Sequence, residues 1–355
     1  MSKKSSGFLK KSNFVKNLVA IVTILLIVGI NNTASGQVKL SDTNVKKLTK
    51  STNVKKVLYV ASYSTNHDWS FRIKSGIESV FESRNNLQLK VINMNTMGML
   101  PRDTDKKKKA ALEVKILIDT WQPDIVIASD DNASKYLIVP YYKDAKLPFV
   151  FCGVNSDPSK YGFPSKNVTG VREVQLVDQL VEYLSPYAKG PKIGSIRGDT
   201  MSNRIGAEYF EKHLGKDIKT YFANSMIEWK KLFLQLQDEF DMLVLGDLNA
   251  VKINVNNESK TDVGNFMFEN TKIPTGHWDA PYKNASLITL AIIPEEQGEL
   301  AAKIALEIID GKSPIDIPIV KNKKAKIFLN MKLAKKLGII FPMNLIEKAQ
   351  LIPAE

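Results

Sequence analysis

Cysteine is almost absent from this chain. One thiol, Cys152, serves 355 residues, so no intramolecular disulfide can form. Its apolar neighbourhood, Pro148 to Val154, predicts a buried, inert side chain. Histidine is equally sparse. His67, His213 and His277 lie far apart and form no metal-ligand spacing. There is no Gly-x-Ser-x-Gly elbow, since Gly194-Ser-Ile-Arg-Gly198 misplaces its serine. There is no phosphate-cradling Gly-x-Gly-x-x-Gly loop. These absences leave no candidate catalytic set, metal site or cofactor site, and an exported enzyme is the weakest of the readings.

Acidic charge is also short, with 37 acids against 50 bases. A basic balance can serve nucleic acid or an anionic surface. No zinc-finger spacing, RNA-binding strand motif or basic zipper accompanies it, so no nucleic-acid partner is expected. The Lys-rich patches at 106–109 and 321–326 read as solvated faces.

No apolar run reaches the roughly 20 residues of a spanning helix. The first thirty-six residues instead carry a basic start (Lys3, Lys4, Lys10, Lys11 and Lys16) and then a thirteen-residue apolar run, Leu18 to Ile30. The small and polar Thr33 to Gly36 follow. That order predicts a secretory signal over 1–36, with an uncleaved N-terminal anchor as the rival. No cysteine follows the run, which excludes a lipid-anchored lipoprotein. Without the leader's five lysines the net charge falls from +13 to +8. Residues 37–54 are polar and Lys-rich and read as a tether.

Beyond 54 the chain alternates strand-like and helix-like segments. Lys56 to Tyr63, Leu87 to Asn93, Asp124 to Ala128 and Phe149 to Val154 read as strands. Between the first two strands, Ile73, Ile77, Val80 and Phe81 mark a helix face. Between the next two, Ala111, Val114, Ile118 and Trp121 mark another. A second set follows near Val168, with strands at Lys192 to Ile196, Ile218 to Phe222 and Asp241 to Leu245. Helices are expected at 176–184, 202–213 and 228–239. A long helix carrying Leu300, Ile304 and Ile308 comes later, and a short one, Met331 to Leu337, stops at Gly338. Apolar runs alternating with helices imply an α/β fold: a parallel sheet flanked by helices, followed by a second α/β unit.

In such sheets ligands bind beyond the carboxyl ends of the strands. That rule selects Ser64, His67, Asp68 and Trp69 after the first strand. It selects Ser129, Asp130, Asp131 and Asn132 after the third, and Asn155 after the fourth. Arg172 and Glu173 follow the boundary between the sets. The second set offers Thr200 and Asn203, Asp247 and Asn249, and Trp278 and Asp279. Hydroxyls, amides, carboxylates and flat indoles suit recognition of a small molecule. Asp68 and Asn132 could instead cap helices, and Asp247 and Asn249 could shape a turn.

Four segments carry a resemblance. Trp121-Gln-Pro-Asp-Ile-Val-Ile-Ala-Ser-Asp-Asp-Asn-Ala133 resembles the third-strand motif of the ABC transporter substrate-binding family. Phe149-Val-Phe-Cys-Gly-Val-Asn155 resembles its fourth-strand motif. Asn167-Val-Thr-Gly-Val-Arg-Glu173 resembles its first crossing between lobes, and Lys326 to Gly338 its C-terminal strand and helix. The resemblance spans about 55 to 345. It implies a type I periplasmic-binding-protein fold: two Rossmann-like lobes with parallel sheets flanked by helices, joined by three crossings, with a hinge between the lobes. Lobe 1 would comprise 55–165 plus 286–316, and lobe 2 would comprise 166–285 plus 317–355. It also implies a small-molecule ligand, an ABC transporter permease as partner, and relatives that include amino-acid binders. The first loop and Gly276 to Asp279 match no diagnostic pattern, so the resemblance leaves the ligand open.

Charge narrows the expectation. Asp68, Asp130, Asp131, Glu173, Asp247 and Asp279 map to the strand ends, against Arg172 and Arg197. Excess carboxylate suits an ammonium or many hydroxyls, and Trp69 and Trp278 could stack on a ring or a cation. The expected protein is therefore an exported, non-enzymatic, monomeric binder of a zwitterionic or amine-like solute in the periplasm. A membrane-anchored sensor or scaffold of the same fold is the alternative.

Overall fold

Continuous apolar runs become the central strands. In the computed structural model, which describes residues 54–64, 66–97, 99, 102–214, 218–246 and 260–353, the first sheet is built from β1 (Lys55–Ala61), β2 (Leu87–Asn93), β3 (Ile125–Ser129), β4 (Phe149–Val154) and β5 (Val168–Arg172). A short strand from much later, β11 (Val320–Lys321), completes it in the order β11-β5-β4-β3-β1-β2, all parallel. Every residue of β3 and β4 is buried, as a parallel sheet covered on both faces requires.

Side chains alternate between those faces. Leu58 and Val60 meet Ala111, Val114 and Ile118 of α2 (Thr104–Trp121) on one side. Val57, Tyr59 and Ala61 meet Ile73 and Ile77 of α1 (Asp68–Phe81) on the other. Each fully buried aliphatic side chain contributes about 1.5–3 kcal/mol. Helix α1 also lies against α9 (Pro294–Ile309). Two glycines permit this approach. A Cβ on Gly76 would overlap the Glu295 carbonyl oxygen, and one on Gly298 would overlap that of Ile73. A bidentate pair, Arg72 to Glu295 at 2.7 Å twice, closes the same contact.

The second sheet runs β13-β12-β10-β9-β8-β6-β7. Its members are β6 (Ile193–Gly198), β7 (Ile218–Ala223), β8 (Met242–Leu245), β9 (Thr275–His277), β10 (Ile288–Ile292), β12 (Ala325–Asn330) and β13 (Ala349–Ile352). All pairs are parallel except β10 with β12. One face is covered by α5 (Val177–Leu184), α6 (Met201–Leu214) and α10 (Met331–Leu337). The other is covered by α7 (Met226–Glu239) and α8 (Lys260–Asn270). Helix α10 ends at Gly338 with φ +66°, the left-handed stop its sequence predicts.

The chain passes between the sheets three times: after β5, after β10, and between β11 and β12. Three buried polar side chains tie these passages together. Asn322 accepts from the Val174 N–H at 2.7 Å and donates to the Val174 carbonyl at 2.9 Å. Gln297 donates to Asn322 at 3.2 Å and accepts from the Gly153 N–H at 2.9 Å. Glu296 accepts from the backbone N–H groups of Lys323 and Lys324, at 3.0 Å and 2.8 Å.

Two sheet memberships differ from the expected lobe ranges. β5 pairs in the first sheet although 166–172 was expected with lobe 2, and β10 pairs in the second although 286–292 was expected with lobe 1. In both cases the strand completes the sheet before the chain crosses, and the crossing lies after it. The leader over 1–36 and nearly all of the tether over 37–54 lie outside the described residues. Among the described residues no helix is long and apolar enough to cross a membrane.

Candidate functional site

At the carboxyl end of β3 the chain turns sharply into α3 (Asp130–Ala133). Asp130 takes φ +73° there, a left-handed conformation that aspartate tolerates better than most residues. The turn swings its carboxylate beneath Trp69. Trp69 Nε1 donates to Oδ1 at 2.8 Å, and Ser129 Oγ donates to Oδ2 at 2.8 Å. Ser129 also lies 3.2 Å from the Tyr59 hydroxyl. Gly153, at φ +62°, makes room, because a Cβ there would stand 3.0 Å from Asp130 Oδ1 and 3.4 Å from Trp69 Cζ2. Asp130 is 3% exposed, so it anchors the half-buried indole from below.

Burial pushes the Asp130 carboxyl up to about 7. The Ser129 and Trp69 hydrogen bonds oppose that rise, and the Asp131 charge adds to it. The folded state thus keeps a proton that the unfolded chain releases near pH 4. Stability from this group falls as pH rises through that window and levels off above 7, a loss on the order of 4 kcal/mol. Asp130→Asn is expected to flatten the fall. Melting curves of both proteins from pH 4 to pH 8 test this, and parallel pH profiles would refute it.

The next residues shape the neighbouring loop. Asp131 accepts from the N–H groups of Asn155 (3.1 Å) and Ser156 (3.3 Å) and from the Tyr161 hydroxyl (2.6 Å). Asn132 donates to Thr96 Oγ1 at 3.0 Å. Asn155 is exposed and donates to Glu173 Oε2 at 3.2 Å.

Glu173 is the focus of the charge. It keeps some accessible surface but is otherwise ringed by protein. Burial drives its carboxyl well above the usual range. Asp130, Asp131 and Asp279 push it the same way, and only the Asn155 hydrogen bond opposes them. Burial and these acids are the dominant influences on it. Asp279 follows β9, so acids at the strand ends of both sheets add to the charge that Glu173 feels. Tyr63 lies within the influence of the same acids, and its hydroxyl is raised by burial and then by Asp130, Glu173 and Asp131. Among the described residues no group of three or more His, Cys, Asp or Glu has the geometry to hold a metal ion.

Other candidates take structural work in this conformation. Asp68 is exposed and pairs with Arg72 at 3.6 Å, one turn along α1. Ser64 Oγ accepts from the Asn66 N–H at 3.2 Å. His67 sits edge-on to Tyr63 at 5.7 Å, and its Nδ1 is buried without a hydrogen-bond partner. Arg172 lies over Tyr209 at 5.4 Å and 3.8 Å from Asp157. Thr200 Oγ1 accepts from the Asn203 N–H at 3.1 Å at the start of α6, and Asn203 donates to the Gly198 carbonyl at 2.8 Å. Asp247 and Asn249 lie outside the described residues.

Trp278, expected to offer a stacking face, is 6% exposed and belongs to the second sheet's core. It packs edge-on against Phe210 at 5.3 Å. Beside it, His277 is neutral, because burial pulls its ring down to about 3. Its Nδ1 accepts from the Asp279 N–H, which leaves the proton on Nε2 to donate to the Gly246 carbonyl at 3.2 Å. Cys152 is fully buried, as its neighbours predict, and burial raises its thiol.

The sequence reading missed Tyr59 and Tyr63 beneath and beside the acids, and the polar tie of Glu296, Gln297 and Asn322. It also placed Arg197 in a loop, whereas the residue lies within β6 and is fully buried. Alternation along β6 was the available signal, since Ser195 and Arg197 share one face.

No curated protein sequence matches the chain. Solved structures do. A ligand-free, open substrate-binding protein with adhesive properties from Clostridium difficile aligns at 19% identity and a TM-score of 0.64, covering 85% of this chain and 100% of that one. An ABC domain in complex with L-Trp from Streptococcus pneumonia aligns at 19% identity and 0.54, covering 84% and 99%. A periplasmic ribose ABC transporter protein from Conexibacter woesei aligns at 14% and 0.51, covering 81% and 95%. At these identities the likeness shows the fold, that of the periplasmic binding proteins. The family model for ABC transporter substrate binding proteins matches residues 64–352, and the chain belongs to that family.

Proposed function

We propose that this substrate-binding protein takes a zwitterionic amino acid or a closely related amine and delivers it, as an exported monomer without enzymatic activity, to an ABC transporter permease. Residues 1–36 would direct export. One observation carries the ligand class: Glu173 shares Asn155 with Asp131, and burial with the charges of Asp130, Asp131 and Asp279 dominates its surroundings. Such a cluster is costly while empty and is relieved when an ammonium enters. Trp69, its N–H held by Asp130, supplies a flat neighbour for an aromatic or cationic group. The fold-level likeness to a protein holding L-Trp is in keeping with this reading.

Closure follows from the topology. A ligand that touches acids from both sheets stabilises the form in which they approach, and the three passages between the sheets act as the hinge. The test is a thermal-shift screen of the purified protein against L-amino acids, amines, sugars and nucleosides. A ligand at 100 times its Kd adds about 2.7 kcal/mol to stability. The expected result is a rise confined to amino acids or amines. A rise confined to sugars or nucleosides would overturn the assignment.

A further inference from the structure

Arg197 is the one fully buried arginine among the described residues, and it is poorly compensated. Nε reaches Ser195 Oγ at 3.4 Å and Nη1 reaches the Asn203 carbonyl at 3.3 Å, both long for a guanidinium. Nη2 is buried and has no hydrogen-bond partner. Glu211 is the acid that acts on it, from an exposed position on α6. An unpaired buried cation is costly, and native proteins rarely keep one without a use.

The surroundings are built around this group. Phe210 lies 3.9 Å and Trp278 4.8 Å from the guanidinium carbon, measured to the ring centroids. Two glycines keep the space open. A Cβ on Gly206 would fall 2.6 Å from Nη1, and one on Gly246 would fall 2.6 Å from Cγ. The site stands where β6, β8 and β9 end side by side, the end of a parallel sheet at which ligands bind. Neutral His277 adds no second cation beside it.

We infer that Arg197 is a carboxylate-binding residue, whose free Nη2 edge receives the anionic group of the ligand while Glu173 and its neighbours receive the cationic one. This inference deepens the amino-acid reading and rests on it for the identity of the ligand. The guanidinium is solvent-inaccessible in this conformation. The carboxylate therefore reaches it through a rearrangement, and association is expected to be slower than about 10⁵ M⁻¹s⁻¹.

The test compares wild type with Arg197→Met, using each L-amino acid and its carboxamide as probes. The carboxamide keeps the ammonium and removes the anion. Wild type is expected to bind the acid about 100-fold more tightly than the amide, the worth of a charged, buried contact. Arg197→Met is expected to lose that preference. It is also expected to melt no lower than wild type, because it relieves an uncompensated charge. A purely structural arginine would instead lower the melting temperature and leave the preference intact. If acid and amide bind wild type equally, the inference falls while the amine reading stands. If no amino acid binds, the amine reading falls, and sodium acetate against sodium chloride at equal ionic strength decides the site. Protection of wild type alone by acetate upholds it, and no difference overturns it.

Discussion

Glu173→Gln is expected to weaken binding of the amine ligand about 100-fold while raising the melting temperature of the free protein at pH 8. Both effects come from one source. The carboxylate sits where burial and the charges of Asp130, Asp131 and Asp279 all oppose ionisation. Glutamine keeps the shape and can still meet Asn155, but carries no charge. In the free protein the substitution removes repulsion, so stability rises. In the complex it removes the partner of the ammonium, so affinity falls. The sign with pH follows. Glu173 has a raised folded pKa, so its contribution to stability drops as pH climbs above the unfolded value near 4.3. The stabilising effect of glutamine is therefore large at pH 8 and small at pH 4. Isothermal titration and melting curves at both pH values test the pair of effects. Unchanged affinity at pH 8 would remove Glu173 from the site, and lower stability there would show that its charge is compensated in the free protein.

The elements that place this site are largely legible in the residues. β2 and β4 fall at their expected bounds, and α10 does so to the residue. Each carries an unmixed signal: alternating apolar and polar residues in β2, an apolar run in β4, and a short helix before glycine in α10. The strand-end loops were legible too, because alternating strands and helices dictate a parallel sheet. Yet α9 begins at Pro294, six residues before the apolar face that marks it in sequence. Its first turn holds Glu295, Glu296 and Gln297, which carry no apolar signal and are used for tertiary contacts.

Sheet membership was the least legible feature. β5 and β10 have ordinary strand sequences, and nothing in Val168–Arg172 or Ile288–Ile292 says which sheet receives them. That choice belongs to the topology. The same limit applies at the site. Asp130 and Trp278 stand at strand ends as expected, but alternation turns Trp278 into the core and backbone strain turns Asp130 under Trp69. Glu173 differs from its neighbours in having little to bond. That poverty of partners is visible only once the three-dimensional surroundings are known.

Glu296→Ala should give the opposite pattern to Glu173→Gln: a loss of about 3 kcal/mol of stability, or roughly 6 °C, with affinity changed by less than threefold. The Glu296 carboxylate is 4% exposed and holds the N–H groups of Lys323 and Lys324, where the chain leaves β11 for β12. Its place in the first turn of α9 favours a negative charge there. Alanine strands two backbone donors and releases one passage between the sheets. It leaves intact the pair of bonds between Asn322 and Val174, so the other tie persists. Because Glu296 binds the passages themselves, and not the facing ends of the sheets, open and closed forms lose the same contacts and the equilibrium between them is preserved. Chemical denaturation and ligand titration of one variant separate these claims. If affinity falls along with stability, Glu296 takes part in closure, and the passages are a moving part of the binding mechanism instead of its fixed pivot.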